Sequence, residues 1–194
     1  MPTPANDRPE VDLPQKDRYA YEDYQQLPEG APYELIRGHL VVSPSPTVQH
    51  QRLVRKLSRA LDDHVQRSDA GGEVLFAPMD VPLSDDTVVQ PDVLYVSPDR
   101  SDRVGEQEIN GAPDLVMEVV SPSTSHRDVF DKKRLYEETE VREYWIVDPD
   151  SETVEVHVLT EEGLSLHERH VDAGTAASAL LDGLTVDLAT LFSG

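Results

Sequence analysis

Cysteine is absent from this 194-residue chain, which excludes disulfides, thiolate metal sites and cysteine nucleophiles together. Lysine is scarce: only Lys16, Lys56, Lys132 and Lys133 occur, and 17 basic residues face 38 acidic ones for a net charge of -21. Such a chain should repel a polyanion in ordinary salt, which counts against nucleic acid as a partner. An acidic, lysine-poor surface is also that of proteins from salt-loaded cytoplasms, and in molar salt, where the Debye length falls to about 3 Å, the global repulsion largely vanishes. The composition therefore reads as halophilic. No apolar run approaches the roughly 20 residues needed to span a bilayer, and the start, Met1 to Arg8, lacks a signal-peptide core, so no membrane partner is expected and the cytoplasm is the default location. Missing too are an HExxH spacing, a GxSxG elbow and a phosphate-binding glycine loop, which leaves zinc-protease, α/β-hydrolase and nucleotide-hydrolase chemistry without support.

What is there, 38% hydrophobic and 28% charged residues, suits a soluble globular chain with one real core. Residues 1–17 mix proline with charge and show no period, a disordered leader, and residues 18–194 read as one domain. Tyr19 to Leu27 forms a short helix, and Tyr33 to Val42 alternates around Gly38 as a hairpin. Thr47 is placed to N-cap a helix from Val48 to Gln66, with Leu53, Val54, Leu57, Ala60, Leu61 and Val65 on one side. Arg52, Arg55, Lys56 and Arg59 fall on the other side; in so acidic a chain this stripe either touches phosphates or is a solvated face paired with nearby Asp and Glu. His50 near the helix start is either a surface or capping residue or one that supports a site.

Further on, Glu73 to Leu83 reads as an irregular or edge strand because of its prolines. Ser97 to Ala112 is a polar loop or short helix, a helix runs from after Thr124 to about Glu138, and Val141 to Asp148 is a core strand. Thr153 to Leu159 and Leu164 to His170 make a C-terminal hairpin, and Val186 to Phe192 an amphipathic helix. Strands and helices interleave around a sheet of mixed direction, an α/β or α+β arrangement.

Two further runs carry the chemistry. Leu115 to Val120 has the apolar composition of a buried central strand but is interrupted by Glu118, and Thr87 to Val96 has the same form around Asp92. A carboxylate is almost never fully buried unless it is paired or bound to a metal. If the two strands are neighbours, the acids converge where a hard divalent cation would take carboxylate oxygens. Taken singly, Asp92 can instead be a turn former at a strand end, Glu118 a buried salt bridge to an arginine, and Glu34 an exposed strand residue. The basic run Lys132-Lys133-Arg134 follows on the next helix, where periodicity does not choose between Lys132 and Lys133.

Pro91-Asp92, then Glu118-x-Val120, then a helical lysine resembles the PD-(D/E)xK nuclease superfamily, with Val120 where the usual motif has its lysine. Tyr33-Glu34-Leu35-Ile36-x-Gly38, Ser43-Pro44-x-Pro46 with His50, Gln90-Pro91-Asp92, Glu118 to Thr124, the spacing Asp128-x-x-x-Lys132-x-x-x-Tyr136, and Glu143 to Asp148 resemble the Uma-type restriction endonuclease family over roughly residues 19–192. The resemblance implies a restriction-endonuclease-like mixed sheet flanked by helices, here with the C-terminal hairpin added. It also implies Mg2+ or Mn2+ at Asp92, Glu118 and the Val119 carbonyl, catalytic roles for Glu34 and Lys132, support from His50, Asp128 and Tyr136, and hydrolysis of DNA. A homodimer is expected, since one metal site cuts one strand. The alternative is a non-catalytic module of nuclease fold that binds nucleic acid or a protein partner, favoured by Val120 and the acidic surface.

The charge imbalance yields a first test. Thermal melts across a KCl series should show the fold firming toward molar salt as carboxylate repulsion is screened; a flat or falling trend would rule out the halophilic reading.

Overall fold

A computed structural model describes residues 15–28, 30–120 and 126–193, with the side chains of residues 126–128 left aside. Most of the expected leader, residues 1–14, therefore lies outside the described residues; at its end, Lys16 is ion-paired with Asp23.

Thr47 starts the longest helix as its sequence predicts: its side chain accepts the His50 N–H at 3.1 Å, and α2 runs Val48–Arg67. Leu53, Val54, Leu57, Leu61 and Val65 are buried along one face, each worth about 1.5–3 kcal/mol against exposure. That face lies on a six-stranded sheet of β3 (Glu73–Phe76), β6 (Val93–Val96), β7 (Leu115–Val119), β8 (Glu143–Asp148), β9 (Thr153–Thr160) and β10 (Gly163–Val171), in the order β10-β9-β8-β7-β6-β3. Only β7 and β8 run parallel, so the sheet is mixed as expected. The period of two then sorts β7: Leu115, Met117 and Val119 enter the core under α2, while Val116 and Glu118 face the other way.

On that second face lie α3 (His126–Glu138) and a four-stranded antiparallel sheet, order β2-β1-β5-β4, of β1 (Tyr33–Ile36), β2 (His39–Val42), β4 (Val81–Ser84) and β5 (Thr87–Val89). The short helix α1 (Tyr21–Tyr24) packs outside it against Tyr33, Leu35 and Val88. Two expected strands are each cut in two by this second sheet. Glu73 to Leu83 breaks at Ala77-Pro78, leaving β3 in one sheet and β4 in the other, and Thr87 to Val96 breaks at Gln90-Pro91-Asp92 between β5 and β6. Proline has no N–H to continue a ladder, so both breaks fall where the chain changes sheets. Asp92 consequently sits at a corner rather than within a strand.

The hairpin β9–β10 forms in the expected place. Its turn requires Gly163, whose φ of +105 is left-handed and where a Cβ would clash with the Glu137 carboxylate. The chain end departs from expectation: Thr175–Ala177 (β11) pairs with Thr185–Asp187 (β12), so Val186 and Asp187 belong to a strand and only Leu188–Phe192 (α4) is helical, N-capped by Asp187. Among the described residues no helix is long and apolar enough to cross a membrane.

One buried acid holds this last segment down. Glu143 is fully buried; its Oε1 accepts from Trp145 Nε1 and Ser178 Oγ at 2.7 Å each, and its Oε2 accepts the backbone N–H groups of Ala179 and Leu180 at 2.8 Å. Glu143→Gln turns an amide NH2 against these donors and should lower stability in urea unfolding by about 2 kcal/mol or more. A midpoint equal to wild type would show that the clamp contributes nothing.

Candidate active site

The break at Gln90-Pro91-Asp92 brings acids from both sheets to one point. Extending the β6–β7 register one step beyond Val93↔Met117 places Asp92 opposite Glu118. Glu34 arrives from β1 in the other sheet, and α3 crosses above with Lys132 and Tyr136, four residues apart and so on one helical face. Glu34 and Asp92 are 7% and 9% exposed, which removes the reading of Glu34 as an exposed strand residue.

Lys132 joins the two sheets. Its Nζ lies 2.9 Å from Glu34 Oε1 and 3.0 Å from Glu118 Oε1. The Tyr136 hydroxyl donates to the same Glu118 oxygen at 2.7 Å, and the Gln90 backbone N–H donates to Glu34 Oε1 at 2.8 Å. Glu118 is thus ion-paired as its structural alternative supposes, but to a lysine rather than an arginine. Asp92 is held separately: its Oδ2 accepts the Val119 N–H at 2.8 Å and faces His50 Nε2 at 3.2 Å.

Three carboxylates here face one ammonium and one imidazole, and proton affinities follow that imbalance. Burial pushes Glu118 up; Lys132 opposes this, Asp92 and Glu34 reinforce it, and its pKa stands at about 7. For Lys132, burial disfavours the charge, but Glu118 and Glu34 outweigh it and hold the ammonium charged well beyond its ordinary range. His50 is likewise pulled down by burial and pulled up further by Asp92, Glu118 and the Val119 carbonyl, ending above the usual histidine value. Its Nδ1 is buried and without a hydrogen-bond partner among the described residues.

The acids form the floor of a cleft of about 680 Å3 whose opposite wall is apolar, with Pro32, Val41, Val42, Pro44, Pro46 and Pro78 among its lining. Tyr144 and Gln90 also line it. Sequence reasoning took Tyr144 and Gln90 as strand residues within family motifs and not as residues of a site; the alternation of β8 and the strand break at Pro91 are the signals that could have placed them. Lys133, unlike Lys132, makes no ion pair among the described residues; its charge adds to the burial that lowers the pKa of His157 on β9, against the opposing Glu155. The side chain of Asp128 lies outside the described residues.

The basic stripe of α2 survives only in part. Lys56 is half-buried and already engaged: its ammonium caps the end of α4, donating to the carbonyls of Thr190, Leu191 and Ser193, because the last carbonyls of a helix have no internal partner. Arg59 pairs with Asp63 at 3.7 Å. Arg52 and Arg55 remain exposed and, among the described residues, make no ion pair.

The donor set fits a hard divalent cation of a particular kind. Among the described residues no three of His, Asp and Glu converge closely enough to hold an ion by themselves. Asp92 and Glu118 supply two carboxylates, and Mg2+ is bound in that way, through one or two carboxylates with water and substrate oxygens completing the shell.

The mixed sheet with flanking helices has a counterpart among solved structures. A crystal structure described as a putative nuclease belonging to DUF820 from Anabaena variabilis superposes with a TM-score of 0.72, covering 90% of this chain and 97% of that chain at 22% identity. Residues 21–189 match the family model Uma2, described as "Putative restriction endonuclease", and the chain belongs to that family. No curated protein matches the chain.

The Lys132 bridge predicts a stability difference between neighbouring lysines. Lys132→Met strands Glu34 and Glu118 without their cation and should cost about 3–5 kcal/mol in urea unfolding, whereas Lys133→Met should stay within about 0.5 kcal/mol. Equal losses would place the effect in the helix and not in the ion pairs.

Proposed function

We propose that the protein is a metal-dependent endonuclease that hydrolyses phosphodiester bonds of DNA. The observation that carries this reading is the meeting of Glu34 and Glu118, from two sheets, on the ammonium of Lys132, with Asp92 opposite Glu118 in the strand register. Mg2+ or Mn2+ held by Asp92 and Glu118, with the Val119 carbonyl beside them, would supply a Lewis acid at the phosphate and lower the pKa of a water there.

The chain's own groups do the rest. The Val119 N–H and His50 fix one oxygen of Asp92, and Tyr136 fixes one oxygen of Glu118, so both acids are aimed before substrate arrives, as preorganised sites require. Lys132 presents a compact, fully charged cation that stabilises the negative charge building on the phosphate. Its position on the helix rather than at Val120 leaves it bridging Glu34 and Glu118, so Glu34 orients the lysine. A homodimer would let two such sites cut both strands of a duplex. The second reading, a nuclease-fold module that binds without cutting, draws on Val120 and the net charge of -21.

Two measurements separate them. Mg2+ or Mn2+ should raise the melting temperature of wild type by mass action, and Asp92→Ala or Glu118→Ala should remove the shift; if both variants keep it, the metal lies elsewhere. Cleavage of plasmid DNA, native and heat-denatured, should be lost in Lys132→Ala but kept in Lys133→Ala at concentrations where both are folded. A folded, metal-binding wild type that cuts neither form would move the weight to the non-catalytic module.

A further inference from the structure

The cleft does not end at the acids. A second groove of about 510 Å3 shares Pro46, Thr47, Gln51 and Ala77 with it, so one trough runs from Lys132 along the first turns of α2 to the edge strand β3. Its walls gather apolar surface that the fold leaves uncovered. Of the seven large hydrophobic side chains exposed among the described residues, four line this trough: Val41 and Val42 at 42%, Val48 at 70% and Phe76 at 59%. A soluble chain tolerates isolated exposed apolar side chains, but a run of them along one concavity marks a binding surface.

The far end carries charge of the scarce sign. Arg52 and Arg55 line the second groove beside Phe76. Every other basic side chain on α2 for which a partner is seen is spent within the protein, Lys56 on the α4 carbonyls and Arg59 and Arg67 on Asp63. In a chain of net charge -21, two cations left facing solvent beside an exposed phenyl ring, on a path that leads to buried carboxylates, select an anion with a flat apolar face.

We infer that the trough takes an unpaired nucleic-acid strand, one base stacking on Phe76 and the flanking phosphates meeting Arg52 and Arg55, and that the substrate of the site is single-stranded rather than intact duplex DNA. The inference rests on the nuclease reading and narrows it. Cationic grooves that interleave with aromatic rings bind single strands because every base has a stacking face and each stack is sequence-tolerant. A duplex buries those faces in its own stack and withholds them from Phe76. It also brings a denser line of charge, one phosphate per about 1.7 Å of axis, toward an acidic protein. An unpaired strand can bend into the trough and lower one phosphodiester to Glu118 and Asp92; it can then be cut by one site, without a second subunit.

The test is fluorescence anisotropy with a labelled oligothymidine and a hairpin duplex of equal nucleotide count, in Ca2+ to occupy the carboxylates, followed by cleavage of both in Mg2+ or Mn2+. Wild type should bind the single strand at least about tenfold more tightly, Phe76→Ala should lose about tenfold on the single strand and nothing on the duplex, and Arg52→Gln with Arg55→Gln should flatten the slope of log K against log salt by about 1.4. All three side chains are exposed, so melting temperatures should match wild type. Duplex bound and cut as well as single strand, with Phe76→Ala silent, overturns this inference while the nuclease reading stands. Neither nucleic acid bound or cut overturns both. A dimer that Phe76→Ala dissolves in light scattering makes the groove an interface between copies and also overturns it.

Discussion

The ammonium of Lys132, held between Glu34 and Glu118, is the interaction on which the arrangement depends. Its two partners come from different sheets, Glu34 from β1 of the four-stranded sheet and Glu118 from β7 of the six-stranded sheet, and it is itself carried on α3. Without it, two carboxylates would face each other across the junction of the sheets with little water to screen them, and desolvation alone makes such a group costly. Tyr136, one turn along α3, completes the attachment by donating to the same Glu118 oxygen. The two sheets, packed together through Val81, Val89, Leu94 and Val116, thus also meet at a charged point, and that point lines the cleft.

Much of the architecture was legible from pattern. The α2 stripe, its Thr47 cap, the two hairpins and the acid in β7 all follow from periodicity and from the rule that a lone buried carboxylate needs a partner. Asp92 was legible as a candidate acid and, in its alternative reading, as a turn former at a strand end; the structure joins the two, since the ladder stops at Gln90-Pro91-Asp92. The β11–β12 pairing was not legible: strands of three residues carry too little alternation to register, and what holds them, the Glu143 carboxylate, is a contact across 35 residues. The choice of Lys132 over Lys133 came from family resemblance. In the structure it is Lys132 that pairs with Glu34 and Glu118.

The fate of the basic stripe shows how far composition can mislead. Four positive charges on one helix look like a phosphate track, yet one caps α4 and another pairs with Asp63. A protein with so few cations uses them first where its own backbone and carboxylates demand them. What remains exposed is therefore more informative than the original count, because Arg52 and Arg55 survive after the internal demand is met.

The same logic applies at the floor of the cleft. Glu118 is held near neutrality in its proton affinity by burial and by two neighbouring acids, even with Lys132 beside it. One lysine and one histidine do not balance three carboxylates, so the pocket retains a deficit of positive charge that a proton, or a divalent cation sharing Asp92 and Glu118, would fill. A proton on Glu118 would compete with such a cation for the same carboxylate oxygens. Lys132 does not make up that deficit, because its ammonium is already divided between Glu34 and Glu118. A fold that buried the three acids for stability alone would have gained more from apolar side chains of the same volume. Their retention at the end of a trough open to solvent is the reason to place the chemistry there.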